Sequence, residues 1–469
     1  MKRYFAFITV AVAALFLSGC WGSGGSSASP PTDVKVLEKD SRAILTWTME
    51  SGVQYWIFHA NGSGVTPQNC ASMPLCYTDV NESSPASVTR GMTNGLPFSF
   101  SINGRKSGGP GGSGSAAVSA TPRLAGATWT APLPTLPHPI PNTTAMRGVA
   151  YGVTSGAVAT FVAAGDGGAL YSGTVYTVPN PVTIVDTGIT WTPLTTTPST
   201  TVTLNAVSYD AYGTRYFVAG NGGAILQSTD AVTWTPQTSI TTKTSSDLYA
   251  IANNGANTIV ATGAAGTIIT SLDGGASWTA QTISGSPSPA LNGVAFGYVT
   301  SLGAYRFMAV GTSGTVLLSV DGVTWTSATS SLPSPITSSV VKGVAYGLVG
   351  GYGTFVVVTV GGYATMTSDG GSTWTTPVQV STSADLNAVT ASLNAAVPLS
   401  TTVTTTTNAF VAVDAAGNIY RYSSPDVGTS WTWTKVFTDS GSTALYAVTH
   451  GGLYDYVTVG SGGVNLYAD

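Results

Sequence analysis

Along most of the chain apolar residues recur at every second position in short runs, and clusters of Gly, Ser, Thr and Asn separate the runs. That is the period of a half-buried β-strand, and it predicts strands almost throughout. Early runs are Ala43-Ile44-Leu45-Thr46-Trp47-Thr48, Tyr55-Trp56-Ile57-Phe58 and Phe98-Ser99-Phe100-Ser101-Ile102. A glycine-rich hairpin at 107–112 and a last run from Ala116 to Ala120 follow. Further on, the pattern repeats at a larger scale. Seven openings share one shape, an apolar residue, a variable one, a small one and an aliphatic one. They begin Met146-Arg147-Gly148-Val149, Leu204-Asn205-Ala206-Val207, Leu248-Tyr249-Ala250-Ile251 and Leu291-Asn292-Gly293-Val294, then Val341-Lys342-Gly343-Val344, Leu386-Asn387-Ala388-Val389 and Leu445-Tyr446-Ala447-Val448. The spacing of 43 to 59 residues is the length of four short strands with their turns. Units of this size, repeated, predict the blades of a β-propeller.

A second recurrence falls between the third and fourth strands of each unit. Its fullest form is Ser271-Leu272-Asp273-Gly274-Gly275-Ala276-Ser277-Trp278, with kindred copies at Asp230 to Trp234, Asp321 to Trp325, Asp369 to Trp374 and Asp426 to Trp431, and a looser one at Asp186 to Trp191. An Asp can cap the free N–H groups of its own turn, a Gly accepts positive φ, and the Trp folds back over the hairpin. The motif resembles the Asp box of the BNR and sialidase-type propellers, which implies a seven-bladed β-propeller over residues 124–469. The seventh copy reaches Asp469 and has no Trp after it. The missing half stands before the first unit, as Gly126-Ala127-Thr128-Trp129-Thr130. Strand 126–130 is therefore expected to complete the last blade, since an open seam would leave unpaired strand edges. The Pro-rich stretch 132–141 then reads as a stiff crossing to the first blade.

Residues 31–123 read as an antiparallel β-sandwich. The opening Pro30-Pro31, the strand residue Trp47 and the Gly95-Leu96-Pro97 turn resemble a fibronectin type III domain, although Phe98 stands where that family has its corner tyrosine. The fold class is thus all-β, a seven-bladed propeller behind a fibronectin type III-like module. Ahead of it, Lys2 and Arg3 precede an apolar run from Phe5 to Leu17 that is too short to span a bilayer. Leu17-Ser18-Gly19-Cys20 resembles a bacterial lipobox. The resemblance implies a signal peptide over 1–20 and lipid on Cys20, and with Trp21 following it favours the outer membrane of the cell envelope. Residues 21–30 read as a flexible tether. Cys70 and Cys76 read as a local disulfide in an oxidising compartment, two cysteines being too few ligands for zinc.

Composition narrows the function. Only 8% of residues are charged and the net charge is −4, so there is no basic field for nucleic acid. Glu38, Glu50 and Glu82 all precede the repeats, whose only arginines are Arg147, Arg215, Arg306 and Arg421. The Tyr–Glu pair and arginine triad of a sialidase cannot be built from them. A glycosidase using two Asp stays conceivable. Of fourteen Asp in the repeats, Asp186, Asp230, Asp273, Asp321, Asp369, Asp426 and Asp469 are expected to cap turns. Asp166, Asp210, Asp247, Asp385, Asp414 and Asp455 are expected as surface loop and turn residues. His138 and His450 give no convincing Ser-His-Asp arrangement, and neither a metal nor another cofactor is implied.

The repeat, read from Gly263-Ala264-Ala265-Gly266-Thr267-Ile268-Ile269 through Trp278, also resembles the propellers of the photosystem II stability and assembly factors. That implies a non-enzymatic protein that docks on other proteins, although the basic patch of such a factor is nearly absent. The second positions of the openings form a candidate ring: Arg147, Asn205, Tyr249, Asn292, Lys342, Asn387 and Tyr446. Such a rim suits a polar or anionic ligand, or it satisfies hydrogen bonds between blades. Two functions stay open. One is a membrane-anchored docking protein for an envelope or surface protein. The other is a glycan-binding protein or an Asp-dependent glycoside hydrolase.

Overall fold

The structure is a computed structural model and describes residues 26–39, 42–84, 86–92, 95–109, 111–122, 126, 129–130, 140, 143–156, 158–175, 189–196, 200–237, 244–283, 289–328, 332–349, 351–392, 410–423, 432–439, 441–451 and 456–468. Cys20, Trp21, Asp186, Asp426, Asp455, Asp469 and His138 lie outside the described residues, as does most of the Pro-rich crossing. The chain divides into two compact units, the first holding residues up to Glu38 and from Arg42 to Pro122, the second the described residues from Gly126 onward. Both are all-β.

The first unit is two sheets. Lys35–Lys39, Arg42–Thr46 and Ala86–Val88 form the smaller, and Tyr77–Glu82, Val53–Asn61, Phe98–Lys106 and Val118–Ala120 the larger. Alternation decides which side chains meet: Ala43, Leu45 and Val88 of one sheet share a core with Tyr55, Ile57, Phe98 and Phe100 of the other. Trp47 lies edge-on to Tyr55 in that core, ring centres 5.5 Å apart. The larger sheet is covered on its other side as well. Phe58 and Ala60 pack there against Val65 and Cys70, and Cys70 is disulfide-bonded to Cys76 with Cα atoms 5.4 Å apart. Ser26–Ala28, read above as tether, is a strand. It pairs antiparallel with the far end of Phe98–Lys106, Ala28 opposite Gly104, where the missing side chain leaves room for it beside Val53. An otherwise open strand edge is thereby closed.

The second unit contains seven four-stranded antiparallel sheets among the described residues, numbered here 1 to 7 in chain order. Their first strands are Met146–Val153, Leu204–Asp210, Leu248–Asn253, Leu291–Val299, Val341–Val349, Leu386–Ala391 and Leu445–His450. Each first strand packs against the next, and that of sheet 7 packs against that of sheet 1, so the sheets stand in a closed ring. This is a β-propeller. Its fourth strand in sheet 7 is Trp129–Thr130, paired with Asn465–Ala468 through Ala468 opposite Trp129 and Tyr467 opposite Thr130. The indole repeats a bond made elsewhere in the ring. Trp129 Nε1 donates to Gly126 O at 3.0 Å, as Trp278 Nε1 does to Gly275 O and Trp325 Nε1 to Gly322 O, both at 3.1 Å. Gly126 and Trp129 thus stand to sheet 7 as Gly275 and Trp278 stand to sheet 3.

No sheet is stable by itself, because both of its faces are apolar. Phe217 and Ala219 of sheet 2 share a core with Ile251, Ile259 and Trp278 of sheet 3, and Trp129 joins Val411 and Val413 of sheet 6. Val457, Val459 and Tyr467 of sheet 7 pack with Phe161 and Trp191 of sheet 1, which closes the circle in packing as well as in strand pairing. Small residues set the spacing. The turn between second and third strands brings Gly314, at φ +65°, under the backbone of the next connection, where a Cβ would lie 2.0 Å from Thr337 O. Only glycine fits there.

Two truncations test the closure. Without residues 124–131, sheet 7 keeps an open edge and its share of the core loses Trp129, so the protein should aggregate. Without residues 21–123 the propeller should stay soluble and monomeric. Trp129→Ala in the full chain should lower stability by about 3–5 kcal/mol in urea denaturation. Equal melting of the two truncations, both monomeric by light scattering, would refute the closure.

Candidate functional site

The seven second-position residues share one structural cause. In every first strand the register slips by one residue across that position, for example from Leu291 opposite Gly311 to Gly293 opposite Val310. The second residue is therefore a bulge residue, left out of the ladder with its side chain re-aimed. Three of the seven donate a hydrogen bond to the neighbouring sheet. Asn205 Nδ2 donates to Leu248 O at 2.8 Å, Asn292 Nδ2 to Val341 O at 2.9 Å and Asn387 Nδ2 to Leu445 O at 2.8 Å. In each case the acceptor is the opening residue of the next first strand, so these amides fasten one sheet to the next.

Arg147 is also engaged. Its guanidinium grips Asp166 through two nitrogens, Nη2 at 3.1 Å from Oδ2, and lies 5.6 Å over the Tyr446 ring of sheet 7. Thr203 Oγ1 of the following connection donates to the same carboxylate at 3.3 Å. The Asp166 hydrogen bond holds Arg147 protonated even more firmly than usual, and the Arg147 bond in turn holds the Asp166 carboxyl below its ordinary range. Tyr249 and Lys342 complete the ring, both half-buried.

The turn aspartates do what their sequence pattern demands. Asp273 Oδ1 accepts from Ser277 N at 2.8 Å and from Ser271 Oγ at 2.8 Å, and its Oδ2 accepts from Ser277 Oγ at 2.6 Å. Asp369 repeats this with Ser372 N, Thr373 N, Thr367 Oγ1 and Thr373 Oγ1. Where the Trp comes one residue sooner, the carboxylate takes nearer donors: Val232 N and Thr233 N for Asp230, Val323 N and Thr324 N for Asp321. Burial by itself would raise these carboxyls. The backbone and hydroxyl donors outweigh it and hold Asp273, Asp321 and Asp369 below the ordinary range, and Asp230 down to about 2.

The other described aspartates of the propeller are committed too. Asp210, expected at the surface, is fully buried and takes Arg215 Nε at 3.0 Å, with Tyr212 N at 3.1 Å on its other oxygen. Asp414, expected at the surface, is fully buried. It accepts from Ala416 N, Asn418 N, Asn418 Nδ2, Tyr420 Oη and Ser381 Oγ, because the turn folds around it and its charge has to be met by donors. Asp247 and Asp385 each reach back to the second-to-third-strand turn of the preceding sheet, accepting from Gly222 N at 2.9 Å and Gly361 N at 2.8 Å. Asp439 caps its own loop through Gly441 N and Thr443 N. Among the described residues no group of three or more His, Cys, Asp or Glu could hold a metal ion.

Nearer the other end of the channel is a cavity of about 260 Å³, lined by the fourth to sixth residues of all seven first strands. Tyr151, Tyr209, Asn253, Phe296, Tyr346 and His450 belong to it, and none of the second-position residues does. Glycine follows the sixth residue where the next sheet brings an aromatic ring. A Cβ on Gly152 would lie 2.2 Å from the Tyr209 ring, and one on Gly297 2.1 Å from that of Tyr346. Those tyrosines then donate to the preceding first strand, Tyr346 Oη to Tyr298 O at 2.6 Å and Tyr209 Oη to Val153 O at 2.5 Å. The sequence carried this signal in Tyr151-Gly152, Phe296-Gly297 and Tyr346-Gly347, which stand five and six residues after three of the seven openings.

The family described as the DUF6242 beta propeller domain matches residues 127–292, from the closing strand through sheet 3 into the first strand of sheet 4. Among solved structures, this chain is similar to YCF48 bound to a D1 peptide at 15% identity and a TM-score of 0.49, over 72% of this chain and 99% of that one. It is similar to YCF48 from Cyanidioschyzon merolae at 18% identity and a TM-score of 0.48, over 72% and 98% of the two chains. The WD40 beta propeller domain of Doa1 matches at 12% identity and a TM-score of 0.49, over 73% and 97%. No curated protein matches in sequence. The family match agrees with the propeller architecture; the structural likenesses carry no partner or activity to this chain.

Asn292→Ala should lower stability by about 1 kcal/mol, the loss of one part-buried hydrogen bond between sheets, read as a shift in the urea midpoint at unchanged slope. Asp273→Ala should lower it by about 1 kcal/mol as well, as loss of a cap does. The turn carboxyls are held below their unfolded values near ~3.9. Their contribution is therefore complete above about pH 4 and is lost as pH falls toward the folded values. The urea midpoint should be flat from neutral pH down to about 5 and fall below about 4. In Asp230→Asn, which keeps the acceptor and drops the charge, that fall should be smaller.

Proposed function

We propose that this chain is a non-enzymatic docking protein, anchored by lipid on Cys20 to the bacterial cell envelope, with a seven-bladed Asp-box propeller carried on a fibronectin type III-like module. The observation that carries the non-enzymatic reading is the state of the carboxylates. Hydrolysis by two acids needs one carboxyl with a free lone pair facing a nucleophilic water or sugar carbon and a second able to give up a proton. Each of the ten described propeller aspartates is instead bound to backbone N–H groups, hydroxyls or arginine. Those bonds commit the carboxyls to the fold. The partner is an envelope or surface protein, and the anchor fixes the propeller near it. The order of strands in the first unit, three in one sheet and four in the principal part of the other, supports the fibronectin type III-like reading. Such a module serves to hold the propeller away from the membrane.

The anchor is tested by labelling cells with a palmitate analogue. Wild type should carry the label and sediment with membranes, and Cys20→Ser should lose both. Equal label in the two proteins would refute lipidation at Cys20. Docking is tested on the lipidated protein purified in detergent: a protein partner should co-purify in near-stoichiometric amount and survive enzymatic removal of glycans. Binding to purified envelope polysaccharide, with no protein partner, would instead support the glycan reading.

A further inference from the structure

In a four-stranded antiparallel sheet the first-to-second-strand hairpin and the third-to-fourth-strand turn lie at the same end. The bonds between sheets agree. Ser155 of the sheet 1 hairpin donates from its N to Thr229 O in the sheet 2 turn at 3.1 Å, and Ser301 Oγ of the sheet 4 hairpin donates to Ser368 O in the sheet 5 turn at 3.2 Å. This end of the propeller is the one opposite the second-position ring. It is also where the apolar surface collects. Of the eleven large apolar side chains exposed in the described residues of the propeller, nine stand on these hairpins and turns. Val232, Leu272 and Val320 are 60%, 59% and 65% exposed at the tips of the Asp turns, and Tyr212, Tyr305 and Tyr352 are 68%, 42% and 61% exposed on the hairpins. Exposed apolar groups gathered on one face of a propeller mark an interaction surface.

The surface has a raised side. The first two strands run Leu291–Val299 and Ala304–Gly311 in sheet 4 and Val341–Val349 and Tyr352–Thr359 in sheet 5, against Leu248–Asn253 and Ile259–Gly263 in sheet 3. Three further residues per strand extend a hairpin by about 10 Å. On this projecting pair the aromatic rings are already ordered. Tyr305 stacks flat on Phe296 with ring centres 5.3 Å apart and planes 2° from parallel, and Tyr298 closes on it edge-first at 5.0 Å. A rigid aromatic patch loses little freedom when a partner covers it. Phe296 also lines the channel cavity, which places the cavity on this side of the ring.

Charge then selects the partner. Asp230, Asp273, Asp321 and Asp369 stand between the apolar tips, held ionised by the bonds of their turns. Arg215 at this end is spent on Asp210, which leaves Arg306 and Arg421 against four carboxylates among the described residues. The face is apolar with a negative excess. An anionic lipid surface is repelled by it, and the carboxylates that a glycan would hydrogen-bond are already taken up by their own turns. We propose that the docking surface is this Asp-turn end, centred on sheets 4 and 5, and that it takes a cationic amphipathic segment of a protein partner. The inference rests on the docking reading above and names its surface and its partner's chemistry.

The test is site-specific photo-crosslinking in intact cells, with benzoylphenylalanine in the full-length lipidated protein at Tyr305 or Tyr352 on this end, and at Tyr249 or Lys342 on the other. Adducts are expected from Tyr305 and Tyr352, and the sequenced partner peptide should interleave Lys or Arg with apolar residues. Protein adducts from Tyr249 or Lys342 alone would overturn the surface and leave the docking reading standing. No protein adduct from any position would overturn both. An acidic cross-linked peptide would overturn the stated chemistry. In vitro, a labelled peptide of alternating Lys and Leu should bind the purified protein at least tenfold more tightly than its Glu-Leu counterpart, by fluorescence anisotropy. Val320→Ser with Tyr352→Ser should weaken that binding at least fivefold at an unchanged melting temperature. Equal affinity for the two peptides, or no effect of the double substitution, would refute the inference.

Discussion

The architecture depends on one constraint: a four-stranded sheet with two apolar faces must be covered on both. Val260 and Ile268 of sheet 3 pack against Leu291 and Phe307 of sheet 4, and the same arrangement recurs at each junction until Tyr467 of sheet 7 meets Trp191 of sheet 1. A row of such sheets has two uncovered ends, and only a ring has none. Closure is therefore the step on which burial of every core depends. It is made by a strand of two residues, Trp129–Thr130, whose indole fills the place that Trp278 and Trp325 fill in their own sheets. The strand pairs residues nearly the whole propeller apart in sequence. Its loop-closure entropy is large, and the burial of Trp129 and the covering of Val411 and Val413 oppose it.

Packing alone would let neighbouring sheets slide, because apolar contact has no direction. Polar groups at both ends of the first strands fix the angle. At one end the bulge residues Asn205, Asn292 and Asn387 donate to the next sheet, and at the other Tyr209 and Tyr346 donate to the preceding one. The two sets point in opposite directions around the ring, and the first strand of sheet 2 is held on both sides by them. Sheet 1 substitutes an ionic contact: Arg147 lies over Tyr446 of sheet 7 while Asp166 accepts from Thr203 on the way to sheet 2. The same junctions that look like a ligand rim in sequence are thus joints. Asn at three second positions is explained by a carbonyl 2.8–2.9 Å away, with no ligand invoked.

How much of this was legible in the sequence depends on the range of the interaction. The strands, the repeat and the Asp turns are local: a period of two, a recurring spacing, and a carboxylate bound within four residues of itself all leave their mark in a short window. The split turn was legible for the same reason, since Gly126 and Trp129 copy the spacing of Gly275 and Trp278. What was not legible is non-local. The bulge that turns Asn292 toward Val341, 49 residues on, has no signature of its own, and Asp414 looks like any surface turn residue until Ser381, 33 residues earlier, is folded over it. Ser26–Ala28 reads as linker because nothing within it announces Gly104, the position that makes room for it.

The same distinction bears on where the protein meets a partner. Side chains that hold the ring together cannot also be given to a ligand without loosening it, and the second-position end is occupied in that way at Arg147 and at three Asn. The opposite end is built differently. There the Asp turns satisfy themselves: the carboxylate, the hydroxyl beside it and the turn N–H groups form a closed set, as in Asp321 with Ser319, Val323 and Thr324. The carboxylate needs no donor from outside its turn, so the side chain that precedes the Asp is not required to hold it. Val320 and Leu272 occupy those positions exposed, where Ser or Thr would serve the turn equally well. Exposed apolar side chains at positions that the turn does not require fit the contact surface proposed above.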